Sequence, residues 1–133
     1  MNKVEVFSLD KQSKTLEKLI QKLAGRILKI LNKSDVSTEI YLINSQKMRF
    51  LNKKFRGKDK TTTVLSFEEP RNFILPASRF RKIGEIYIKF PIPNSPIPQL
   101  LCHGLLHLLG YNHQKKNDRI KMERKEQICI SLL

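Results

Sequence analysis

All three histidines of the chain lie between His103 and His113. His103 and His107 are four residues apart, a spacing that puts both imidazoles on one face of a helix about a turn apart. Gly110 is the residue type that takes the left-handed conformation ending a helix. His113, beyond that turn, can then return as a third imidazole from another direction. Three neutral nitrogens with a fourth position open describe a catalytic zinc centre, one ion per chain, rather than a structural one. A lone histidine on an apolar helix is more often a hydrogen-bonded core residue, and His-x-x-x-His pairs also occur on ordinary helices. The glycine and the third histidine at fixed offsets are what point to a metal. Zinc peptidases carry Glu directly after the first histidine as general base, and here that position is Gly104. The spacing therefore gives a metal cage without the proteolytic base.

These residues need a helix, and the apolar pattern supplies one over Ile97–Leu109, with Pro98 tolerated in its first turn. Its leucines are apolar nearly all round, which predicts a buried central helix. Cys102 points about a quarter-turn from the histidine face, so core packing is expected of it rather than ligation. Cys102 and Cys129 both sit in apolar helical contexts and predict no disulfide framework. Upstream, Lys3–Leu9 alternates as a strand. Lys14–Leu31 repeats at helical spacing with lysines on its outer face and Ser13 as its cap. Asn32–Asp35 reads as a turn, Thr38–Asn44 as a second strand, and Ser45–Phe55 as a helix with Met48, Leu51 and Phe55 on one side. Val64–Phe67 and Gly84–Phe90 complete the strands, separated by a loop over Glu68–Lys82. Pro91, Pro93, Pro96 and Pro98 forbid a regular element and suggest a stiff connector. Lys116–Leu132 forms the last helix. The strand–helix–strand–helix order predicts an α/β layer structure with at least one parallel pair, in one domain over residues 1–133.

The 133 residues carry 26 Lys+Arg against 12 Asp+Glu, a formal net charge of +14. A balance this basic predicts a polyanionic partner. Between the second helix and the third strand, Arg56, Lys58 and Lys60 stand in a hydroxyl-rich loop. They suit phosphate, Arg by its planar fork and Lys as a point charge, although a solvated basic turn is the simpler reading on composition alone. Charges interrupt every apolar run near Met1, and no run reaches transmembrane length. A soluble, cytoplasmic protein without membrane contact is expected.

With both windows in hand, the chain resembles the YbeY family of metal-dependent endoribonucleases that mature ribosomal RNA. The resemblance lies in Leu51-Asn52, then Phe55-Arg56-Gly57-Lys58-Asp59-Lys60, then Val64-Leu65-Ser66-Phe67. It continues in Gly84-Glu85-Ile86, in the window His103 to His113, and in Met122-Glu123-x-x-Glu126. It implies an α+β, metalloprotease-like fold: a mixed four-stranded sheet flanked by helices around a central histidine-bearing helix. It implies zinc on His103, His107 and His113, with Arg56 and His103 catalytic and Arg56 on the RNA phosphate in a basic cleft. Lys58 and Lys60 are expected to position the strand. The implied activity is single-strand-specific cleavage in ribosomal RNA maturation (16S 3′-end processing and ribosome quality control), with the small ribosomal subunit as partner and a monomer assumed. Thr63, Asn112, Glu85 and the proline segment differ from the family's usual pattern. The rival readings are a non-catalytic RNA- or ribosome-binding factor with a structural zinc, and a zinc peptidase.

Overall fold

A computed structural model describes residues 1–9, 11–70, 79–91 and 97–133. The elements are β1 (Lys3–Ser8), a 3-10 turn (Lys14–Leu16) leading into α1 (Glu17–Ile30), β2 (Val36–Ile43), α2 (Ser45–Arg56), β3 (Val64–Glu68), β4 (Arg81–Lys89), α3 (Ile97–Leu108) and α4 (Lys116–Leu132). The strands form one sheet in the order β1-β2-β4-β3. β1 and β4 both run parallel to β2, and β3 runs antiparallel to β4. This is the mixed four-stranded α+β sheet expected from the sequence.

Strand alternation divides the side chains between two faces. Ile40 pairs with Ile86 and Leu42 with Ile88, and all four are fully buried. They meet Ile20, Ala24, Ile27 and Leu28 of α1 and Leu101 and Leu105 of α3 in one core. α3 touches α1, α4, β3 and β4, so it is the buried central helix that its composition predicts. At about 1.5–3 kcal/mol for each fully buried leucine, this helix is held by tertiary packing far more than by its own propensity. On the opposite face, Met48 of α2 packs with Ile43 and Leu65. Among the described residues, no helix is long and apolar enough to cross a membrane.

Local chemistry fixes the ends of α2. The Asn44 side-chain oxygen accepts from Lys47 N–H at 2.8 Å, and Gly57 at φ 70° ends the helix. The alternating pattern runs up to Asn44 and predicts it as the last residue of β2, whereas it caps the helix that follows. Ser13 does not cap as expected. It is fully buried, its side chain makes no cap hydrogen bond, and its carbonyl accepts Leu16 N–H at the start of the 3-10 turn. Phe55 leaves the α2 core side at 55% exposure and sits edge-on to Phe67, with ring centroids 5.5 Å apart. β4 begins three residues before the expected Gly84 and is bulged there. The loop expected over Glu68–Lys82 and the proline connector fall in part on residues 71–78 and 92–96, outside the described residues.

Gly84 permits a close approach of β3 and α3. Lys82 pairs with Ser37 and Gly84 with Thr38, so Ile83 is an extra residue in β4. Gly84 has φ 149°, and a Cβ there would lie 2.3 Å from Phe67 O and 2.6 Å from Leu108 Cδ2. The Thr38 hydroxyl donates to Gly84 O at 2.9 Å, which satisfies the bulge. Gly25, inside α1, has nothing within 4 Å of its Cβ position. Gly84→Ala is therefore expected to lower the unfolding free energy by roughly 2–4 kcal/mol through overpacking and strain. Gly25→Ala is expected to raise it by about 0.5–1 kcal/mol through helix propensity. Urea unfolding midpoints at unchanged slope measure both, and equal effects of the two would contradict the packing.

Candidate metal centre

The C-terminal turn of α3 builds the histidine cluster. Tyr111 N–H bonds to Leu106 O at 3.0 Å and Gly110 N–H to His107 O at 3.1 Å, with Gly110 at φ 99°. This pair of bonds is a Schellman motif, which closes the helix on its own carbonyls and reverses the chain. The reversal brings His113 back over the first two histidines. Its ring centroid is 5.1 Å from those of both His103 and His107. One ligand nitrogen from each of the three rings lies within 4.8 Å of the others.

The backs of two rings are occupied. His107 Nδ1 is 3.0 Å from Tyr111 O, and His103 Nδ1 is 2.7 Å from Glu126 Oε1 on α4. A carbonyl and a carboxylate can only accept, so each Nδ1 carries the proton and each Nε2 presents its lone pair. Those two Nε2 atoms face each other at 3.1 Å. Two lone pairs at that distance repel unless a cation stands between them. Ligands on a tetrahedral zinc with bonds of about 2.0–2.1 Å lie about 3.3 Å apart, so the donor set fits a divalent ion. Burial holds the His107 imidazole below the ordinary histidine value, and neighbouring His103 pushes it the same way. The neutral form that a metal needs is thereby favoured.

Gly104 lies against the sheet. A Cβ there would meet Ile86 Cδ1 at 3.1 Å and Ser66 Oγ at 3.3 Å. A side chain at the position of the peptidase base would press on the Ile86 and Ser66 side chains of the sheet, so glycine is the residue that fits there without repacking. Cys102 is buried, as expected, with its sulfur 3.4 Å from that of Cys129, and both thiols are free. Burial pushes the Cys102 thiol up.

His103 and His107 line a cleft of about 640 Å³ together with Arg56, Ser66, Phe67, Glu68 and Asn112. Arg56 Nη2 donates to Ser66 O at 2.7 Å, and its guanidinium lies 4.9 Å from the Phe67 ring centroid. One donor of five holds the side chain in place, leaving the rest of the fork for an anion. Lys58 and Lys60 do not line this cleft. They line an adjoining hollow of about 430 Å³ that shares Arg56 and Leu65 with it. Their loop is pinned by Asn52 Nδ2 donating to Lys60 O at 2.9 Å and by the 2.8 Å pair of Arg49 with Asp59.

Asn112, one of the departures from the family's usual pattern, is engaged in its own turn, where Oδ1 accepts from Gln114 N–H at 3.1 Å. The acid behind His103 is Glu126, whose only sequence signal is its place in the last-helix motif. Glu85 lies away from the cleft, where it accepts from the Tyr87 hydroxyl at 2.8 Å and pairs with Lys82 at 3.0 Å.

A mixed sheet under a buried helix, with three imidazoles converging near an arginine-lined cleft, defines an α+β protein whose histidines are placed to bind a metal ion. The chain belongs to the YbeY family, whose profile, described as Endoribonuclease YbeY, matches residues 3–133. It is 33% identical over 130 residues to Endoribonuclease YbeY of Persephonella marina, covering 87% of this chain and 78% of that protein. It is 35% identical over 131 residues to Endoribonuclease YbeY of Leptospira interrogans, covering 79% and 92%. The solution structure of TM1509 from Thermotoga maritima is similar with a TM-score of 0.52 and 26% identity, over 96% of this chain and 89% of that one.

Glu126→Ala is expected to weaken zinc binding about 10- to 100-fold while leaving the fold intact, because it removes the acceptor that orients His103. Competitive chelator titration checks this. Affinity is also expected to fall at acid pH, since protons then compete for the imidazoles, with His107 yielding only below the ordinary histidine value. A flat pH profile from about 8 to 5 would contradict ligation by histidine.

Proposed function

We propose that this chain is a zinc-dependent endoribonuclease acting on single-stranded RNA, with His103, His107 and His113 holding one ion and Arg56 meeting the phosphate. The observation that carries this reading is that Arg56, His103 and His107 line one cleft in a chain of net charge +14. The names of its relatives supply the activity, endoribonuclease. The finer reading is maturation of ribosomal RNA at the 16S 3′ end, in the cytoplasm on the small ribosomal subunit, by a monomeric single domain.

Each residue has a stated task. The carbonyl of Tyr111 and the carboxylate of Glu126 keep the Nδ1 protons in place, so the ligand nitrogens stay pre-set. Bound there, a divalent ion supplies Lewis acidity, lowering the pKa of water toward about 7 and polarising a phosphoryl oxygen. Arg56, held by Ser66 and Phe67, stabilises the charge that grows on the phosphate, and it does so without reorganising. Lys58 and Lys60 hold flanking phosphates as point charges. The filled position at Gly104 leaves the cleft without the peptidase carboxylate.

His103→Ala is expected to abolish RNA cleavage, and Arg56→Ala to lower kcat/KM by about 10²–10³-fold. Arg56→Lys should rescue little of this, because the planar fork is lost. Chelation should stop cleavage and zinc restore it. Salt-sensitive RNA binding without cleavage by the zinc-loaded protein would instead identify a non-catalytic RNA-binding factor with a structural metal.

A further inference from the structure

We propose that the hollow behind the Gly110 turn is a second phosphate-binding subsite, which holds single-stranded RNA on the far side of the histidine cluster from Lys58 and Lys60. The proposal rests on the RNA-cleaving reading and extends it. The hollow, of about 400 Å³, is lined by Lys33, Lys121 and Lys125. Lys121 and Lys125 are four residues apart on α4 and so share a face, and Lys33 enters from the turn after α1. All three are exposed and form no ion pair among the described residues. Asp118 also lines the hollow, leaving three ammonium groups against one carboxylate.

Its position gives the charge a meaning. Gly110, Tyr111 and Asn112 line both this hollow and the histidine cleft. Arg56 and Leu65 line both that cleft and the hollow of Lys58 and Lys60. The three depressions thus adjoin in series, basic at each end, with the His103 and His107 imidazoles in the middle one. A ligand with charges repeated along its length matches this series, whereas a single small anion would occupy one end alone. Tyr111, partly exposed, lines two of the depressions and supplies an aromatic side chain of the type on which a base stacks. RNA held on both sides of the reacting phosphate is fixed in register there, and both product ends keep a phosphate anchor after cleavage.

The test replaces Lys33, Lys121 and Lys125 together by Gln. A matched control replaces Lys14, Lys18 and Lys22, which are exposed and line none of these depressions. Binding of a cleavage-resistant 2′-O-methyl phosphorothioate single strand is followed by anisotropy against salt. The first variant is expected to lower the slope of log K against log salt by about 2, at about 0.7 for each phosphate no longer neutralised, and the control to leave it unchanged. On cleavable RNA the first variant should raise KM while kcat stays within about twofold, as expected of interactions that are equal in ground and transition states. An unchanged slope in the first variant, or an equal fall in the control, overturns the subsite. A parent protein that binds RNA with the expected slope difference but never cleaves it overturns the nuclease reading and leaves the subsite standing.

Discussion

The reversal of the chain at Gly110 is the constraint on which the site depends. A helix end leaves carbonyls without partners, and here two of them are satisfied by Gly110 and Tyr111 N–H. The same few residues then do two further things. They return the chain so that His113 reaches the first two rings, and they turn the Tyr111 carbonyl onto His107 Nδ1. Helix capping, ligand delivery and tautomer selection are therefore one local structure. A residue with a Cβ at φ 99° would strain all three at once.

Charge is distributed in a way that supports this division of labour. The protein is strongly basic overall, yet the sheet face away from α3 holds an acidic group in which Lys82 pairs with Glu39, Glu69 and Glu85 at 3.0–3.4 Å. Tyr41 and Tyr87 donate their hydroxyls to Glu39 and Glu85, and the two rings stack with centroids 5.0 Å apart. The hydrogen bond from Tyr41 is the main cause holding Glu39 below the usual carboxylate range. Burial pushes the Tyr87 hydroxyl up to about 12, with Glu85 adding to it. The acids are thus consumed within the fold on that face, while Arg56, Lys58 and Lys60 stand at the cleft and the hollow beside it.

What could be read in the sequence was whatever is local. The histidine window was legible because helical periodicity, a left-handed glycine and a return distance are all encoded within a few consecutive residues. The buried character of α3 followed from leucines on every side. Glu126 was not legible as a partner of His103, because the interaction joins two helices across 23 positions and depends on how α3 crosses α4. Gly84 looked like the ordinary start of a strand, since nothing nearby in sequence announces that Phe67 O and Leu108 will press on it. Ser13 carried the composition of a cap but was taken into the interior. Lys58 and Lys60 follow Arg56 closely, yet the turn at Gly57 sends them into a separate hollow.

The order of the elements has a consequence for how the protein is made. Among the described residues every strand lies before Phe90, whereas the three imidazoles and Glu126 come after it. A chain emerging from its N-terminus therefore exposes all the residues of the sheet before any ligand nitrogen exists. The histidine cluster thus cannot nucleate this fold from its first strands; it forms only once α3 and the turn at Gly110 have followed the residues of the sheet. A molecule truncated before Glu126 would carry all three histidines without the carboxylate that aims His103.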